Sequence, residues 1–362
     1  AGSLNISGTA TLTGIDITLD TAATDLNQVH VNSTGRTLLV DIDDIQIGDS
    51  SIGGTFVIQT DDTVTFNGTV VVQDVATVTG GNGFVDSVES SNDGLVEAPL
   101  LTVNSFGDVH LNSELDALVL TTFGDGSVEI QETDSVELRD VTVAEGTLNL
   151  TAGGTITATR VSSHGTAADV MTTLTSSGGD VLIDSITVGQ NGQGMATVSA
   201  AGSILETSPA DPGTDLTAGI VHLSAGGQVG DGGALILETE ISTLASATVT
   251  GGSLSLHEAT DITLQSVSVT NGGVLIVSDG TIEIDGIVSA ADSLTLTGNN
   301  QGSAQLVSTS NGLIETNALM VESDSGIELN IDANTVTAGT LGSGDRRLVE
   351  SASVDIRDVR AL

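Results

Sequence analysis

The residues of this chain best equipped for chemistry are its carboxylates: 48 Asp and Glu stand against 7 Lys and Arg, a formal charge of −41 over 362 residues. Their densest group is the run Asp41, Ile42, Asp43, Asp44. Alternation with Val40 and Ile42 assigns Asp41 and Asp43 to one outward strand face. Paired carboxylates there would suit glycoside hydrolysis or, with Asp44, the holding of Ca2+. The plainer reading of the same pattern is a solvated strand face. A polysaccharide-cleaving site would also call for aromatic sugar platforms, a catalytic Lys or clustered Arg. The chain has no Trp, Tyr or Lys, and Arg36, Arg139 and Arg160 stand apart. The expectation is a chain without catalytic residues and without a cofactor, Ca2+ being the one ion its acids suggest.

Other side chains carry weaker signals. The five histidines, His30, His110, His164, His222 and His257, form neither HxH nor HExxH and read as surface residues rather than ligands. GGNGFVD from Gly80 and GDGG from Gly230 faintly resemble calcium-binding nonapeptides. Neither belongs to a tandem array, so both read as turns. Thr-x-Thr pairs at Thr155/Thr157, Thr248/Thr250, Thr295/Thr297 and Thr335/Thr337 would bind ice only as a flat ladder, and they do not share one repeat position. Asn5, Asn32, Asn67 and Asn149 open Asn-x-Ser/Thr triplets, which accept glycans in an exported chain.

The charge excludes some partners. Nucleic acid needs a basic footprint to neutralise phosphate, and none exists here. An anionic membrane surface is disfavoured for the same reason, and no apolar run reaches the ~18 residues of a membrane span. A charge this large is best tolerated in salt, where screening acts over roughly 8–10 Å. A saline extracellular or cell-surface setting suits it. With no cysteine there are neither disulfides nor thiolate metal sites.

The elements that position these residues come from a repeat. From Gly252, apolar residues fall at offsets 2, 4, 10, 12, 15 and 17: Leu254, Leu256, Ile262, Leu264, Val267 and Val269. From Gly126 the same offsets hold Val128, Ile130, Val136, Leu138, Val141 and Val143. Copies from Gly2, Gly146 and Gly272 follow, the last with Ile287 and Ser289 at its third pair. Three pairs per copy mean three short strands, each alternating in and out. The fold expected is all-β: a parallel β-helix, or β-solenoid, of about 20 residues per turn with loops inserted at corners. The scarcity of aromatic residues agrees, since a narrow solenoid interior is filled by aliphatic side chains. One solenoid spans residues 1–362, with irregular or loop-bearing turns at 74–100 and 160–232 and roughly 14–16 turns in all. No window carries a helical period.

The G-[ST]-[LVI]-x-[LIV] units at Gly126, Gly146 and Gly252, members of a series that recurs at roughly 19–20 residues, resemble filamentous-haemagglutinin-like repeats of large bacterial surface proteins. The resemblance covers most of the chain at the level of pattern. It implies a right-handed parallel β-helix, export to the cell surface, and adhesion or matrix roles. The amino-terminal secretion domain of that family and a binding module are not evident.

The ends add a further expectation. The opening AGSLNI, with no signal-peptide pattern, reads as a mature or processed form. Neither end reads as a cap, so the chain is expected to continue or to stack end to end. The stretch 339–362 is relatively basic. From Arg346 onward, Arg346, Arg347, Arg357 and Arg360 face only Glu350, Asp355 and Asp358, while the first turns are acidic. A basic end meeting an acidic one is a heterologous contact that propagates as a filament. The leading reading is therefore a non-catalytic extracellular rod segment or filament subunit. An adhesin stalk binding a receptor or glycan comes second, and a polysaccharide-active β-helix third.

Overall fold

A computed structural model describes residues 4–20, 24–81, 86–166, 170–208, 213–233, 236–299, 303–340, 344–350 and 354–361, with side chains of the last strand described to Asp358. The chain forms two compact units, Ala1–Thr175 and Ser176–Leu362. Each is a stack of coils whose strands pair in parallel with the coils before and after. Both are β-solenoid, with about 16 turns in all at ~20-residue spacing.

In the first unit the strand Val128–Glu132 lies between Val109–Thr122 and Leu148–Ala152. Its register aligns Val109, Val128 and Leu148 in one column and Leu111, Ile130 and Leu150 in the next. The period of 2 turns these residues inward and Glu129 and Gln131 outward. Val136 then stacks on Ile156, and Val141 on Val161. All six residues expected inside, Val128 to Val143, are at most 3 % exposed. Side chains of one type align along the stack because every coil places the same offset at the same point. Each buried aliphatic contributes roughly 1.5–3 kcal/mol.

The second unit repeats the plan. Leu254, Val274, Leu294 and Leu319 form one column, and Ile262, Ile282, Leu306 and Ile327 another. Leu254, Leu256, Ile262, Leu264, Val267 and Val269 are at most 2 % exposed. The copy from Gly272 departs from the expected phase. Ile287 is 51 % exposed and Ser289 half-buried, while Val288 and Ala290 face inward. The cause is one extra residue: Leu264 pairs with Ile284, but Ser266 pairs with Ile287. The slip moves the third inward pair on by one residue, and Leu294 and Leu296 then face inward as expected. Gly286 sits in this bulge, where a Cβ would lie 1.7 Å from the Gln265 carbonyl oxygen.

The expected division into three strands holds only in some coils. After Gly146 the chain breaks into Leu148–Ala152, Ile156–Ala158 and Val161–Ser163. In Val136–Val143 and Ile262–Val269 the second and third pairs belong to one strand, bent rather than interrupted. The stretches read as irregular also keep coiling. Val75 pairs with Leu100 and Met195 with Ile220, so these coils are longer at their corners but still in register.

The units also share details beyond the coil. GLVEAPLLTVN from Gly94 has a counterpart in GLIETNALMVE from Gly312. Asn112 Nδ2 donates to the carbonyls of Ser91 and Gly94, and Asn330 Nδ2 to those of Thr309 and Gly312. Glu132 and Glu350 are separated in sequence by the same interval as Asn112 and Asn330.

Candidate functional site

The site chemistry begins where an inward-pointing strand position meets a corner. Strand Thr37–Asp41 turns Thr37, Leu39 and Asp41 inward, so Asp41 is 3 % exposed. This corrects the outward assignment. Leu39 sets the phase of the strand, and Ile42, taken as inward, is 41 % exposed at the start of the turn. The Asp41 carboxylate accepts the backbone N–H of Leu26 at 3.1 Å and that of Ile42 at 3.1 Å. Burial pushes its pKa up to about 6, against the pull of those two donors. Asp43 and Asp44 are exposed, and Asp44 caps the next coil through the Thr63 N–H at 3.0 Å. The three aspartates therefore do not converge as a calcium or glycosidase pair.

The same device recurs. Glu132 accepts from Ser113 Oγ at 2.6 Å, Leu115 N at 3.1 Å and Thr133 N at 3.0 Å. Glu258 accepts from Thr239 Oγ1 at 2.8 Å, Ile241 N at 3.1 Å, Thr260 N at 3.0 Å and Thr260 Oγ1 at 2.7 Å. In the last described coil Glu350 accepts the Ala333 N–H at 3.4 Å. Each of these glutamates takes the N–H of the residue 17 positions earlier, which links consecutive coils. Burial raises both Glu132 and Glu258, the latter to about 7, and their hydrogen-bond donors pull the other way. An unpaired buried backbone N–H costs about as much as a lost hydrogen bond, so these acids complete the coil.

The remaining expected residues stay dispersed. His30 bonds the Asp49 carbonyl at 3.2 Å, His222 meets Ser246 Oγ at 2.8 Å, and His257 lies 3.6 Å from Asp279. His110 lies 4.0 Å from Glu129, and His164 is exposed. Thr295 stacks on Leu275 and Met320 rather than on other threonines. Part of the Gly80 stretch, 82–85, lies outside the described residues. Arg139 pairs with Glu137, and Arg160 with Asp140. Arg346 is half-buried and bonds Thr340, Arg347 pairs with Glu328, and Arg357 lies 3.7 Å from Asp355. Arg360 lies on the strand Asp355–Ala361, and its side chain is outside the described residues.

One carboxylate group escaped the sequence reading. Glu206 ends the strand Ile204–Glu206, Asp215 precedes Leu216–Ala225, and Glu238 lies on Leu237–Val249. A ligand oxygen from each falls within 4.8 Å of the others, the one such group of three among the described residues. Glu206 and Asp215 are buried, at 4 % and 1 % exposure, and Glu238 is half-buried. Asp215 is tied to its neighbour twice: its N–H donates to the Glu238 carbonyl at 2.9 Å, and its Oδ2 accepts the Glu238 N–H at 2.9 Å. Its Oδ1 is shielded from solvent and accepts no hydrogen bond, and the same holds for Glu238 Oε2. Burial pushes the Asp215 pKa up to about 8 against the pull of the Glu238 N–H, and a hydrogen bond shared with the Glu238 side chain and the charges of Glu238 and Glu206 add to the rise. Three hard oxygens in one place can hold a cation or share protons. No motif marks them, because they stand 9 and 23 residues apart, off the ~20-residue repeat.

Protein-family models, curated proteins and solved structures were all compared with the chain, and none matches it. What the chain does must follow from its own residues and their geometry.

Proposed function

We propose that this chain is a non-catalytic structural protein of the extracellular surface or matrix, a solenoid segment or head-to-tail filament subunit. One observation carries the reading. The buried acids Asp41, Glu132 and Glu258 are occupied by the backbone of adjacent coils. Acids used in this way hold coils together. The charge of −41 favours a saline, cation-containing setting, and the glycine-led repeats resemble those of bacterial surface proteins.

Strand ladders at the first described coil offer backbone groups to another coil. Leu4–Gly14 is bonded along one edge to Thr24–Ser33, and its inward residues Ile6 and Leu12, with Ile17 and Leu19 of the same coil, are only half-buried. A further coil, from this chain or from a second copy, would cover them. The ion pairs of Arg347 and Arg357 in the basic stretch are exposed. Such pairs are worth about 1 kcal/mol or less, so they can exchange partners. Negative-stain microscopy tests assembly: filaments are expected, and R347E/R357E should shorten them. Discrete monomers at every salt and Ca2+ concentration would sink the filament reading. Release of reducing sugar from acidic or neutral polysaccharides would overturn the non-catalytic one.

A further inference from the structure

We propose that Glu206, Asp215 and Glu238 form a binding site for a hard divalent cation of the size of Ca2+, which fastens Asp215, at the start of Leu216–Ala225, to the coil that follows. Geometry supplies the first argument. Two oxygens bound to one calcium ion at ~2.4 Å lie no more than ~4.8 Å apart, and the three carboxylates meet that limit. All three ligands are carboxylate oxygens, which select a hard cation over the nitrogen- and sulfur-seeking metals. Water and backbone carbonyls would complete the shell of about 6–8 oxygens that calcium takes.

The second argument is an unmet need. Asp215 is 1 % exposed, yet its Oδ1 accepts no hydrogen bond and meets no solvent. Glu238 Oε2, which belongs to the same group, is equally shielded and takes no donor from outside the three acids. Glu258, by contrast, receives backbone and hydroxyl donors on both oxygens. Protein cations are also missing locally, because no Lys or Arg occurs from Val161 to Asp345. The nearest histidine in register, His257 opposite Glu238, faces Asp279 instead. Ionised together, Asp215 and Glu238 would be shielded from water without a counter-charge, which is strongly unfavourable. A bound cation removes that cost.

The test compares the wild-type chain with D215N, using calcium as the probe. Calorimetric titration at pH 8 should give the wild type one tight Ca2+ equivalent above its weak surface binding, and its Tm should rise by ~5 °C over that in chelator. D215N should lose both responses. In chelator it should melt at or above the wild type, because a buried like charge is gone; this separates loss of the site from loss of the fold. E238Q should behave in the same way, and E114Q, on an exposed acid, should keep the wild-type response. Mg2+ at the same concentration should shift the Tm less, since it demands shorter bonds and sheds water reluctantly. An unchanged Ca2+ response in D215N and E238Q would overturn the proposal, as would an equal response to Mg2+. A wild type stabilised only by lowering the pH, with no Ca2+ effect at pH 8, would show that the three acids share protons instead, and would also overturn it.

Discussion

A buried acid in this fold acts through where it sits in the coil, and Glu258 shows the consequence. It is fully buried, and its pKa rises from 4.5 to about 7. The folded chain therefore holds a proton over that window while the unfolded chain has lost it. The contribution of Glu258 to stability is greatest below pH 4.5, falls as the pH climbs toward about 7, and levels off above. The difference is worth roughly 3 kcal/mol at about 1.4 kcal/mol per pKa unit. Gln cannot titrate, so E258Q should flatten this part of the profile; urea midpoints from pH 5 to 8 for both proteins would reveal it. Parallel profiles would show that Glu258 titrates normally. Asp41 teaches the matching lesson about legibility. Its side chain was assigned to the wrong face because Ile42 was read as inward, whereas an apolar residue at a corner can be left in solvent while an acid turns in to serve the backbone.

Individual strands derive their stability from columns, and the offsets identify the columns. Ile130 lies between Leu111 and Leu150 and is 1 % exposed. I130A should cost about 2–5 kcal/mol, because rigid neighbours on both sides cannot close the cavity. Q131A, on the outward face of the same strand, should stay within ~0.5 kcal/mol. Chemical denaturation of both variants checks the contrast, and equal losses would mean the alternation has been misread. The core positions of the copies from Gly126 and Gly252 were legible because one period governs both. The copy from Gly272 departs at its third pair because a single-residue bulge at Gly286 moves the inward positions to Val288 and Ala290 before Leu294 resumes the expected phase. Strand boundaries were less legible still. A two-residue corner can bend a strand or break it, and apolar spacing is the same in both cases.

For the whole molecule, charge and repetition dominate. The charge of −41 is spread over stacked coils, and like charges one coil apart lie ~4.8 Å from each other. Salt should therefore stabilise the chain: raising NaCl from ~0.02 to ~0.5 M shortens the screening length from ~20 Å to ~4 Å and should raise the Tm. A flat or falling Tm in calorimetry would show that the acids are already neutralised in pairs or by bound ions. By itself, the sequence determined the solenoid, its coil-to-coil spacing and most of its interior. These follow from a local rule, that alternating apolar pairs bounded by glycine must be buried and can be buried only by stacking. Tertiary structure decided which acids meet. Glu206, Asp215 and Glu238 come together because the ladder register of Leu216–Ala225 on Leu237–Val249 sets Asp215 beside Glu238 and the fold brings Glu206 to them, and that register is not written in the periodicity.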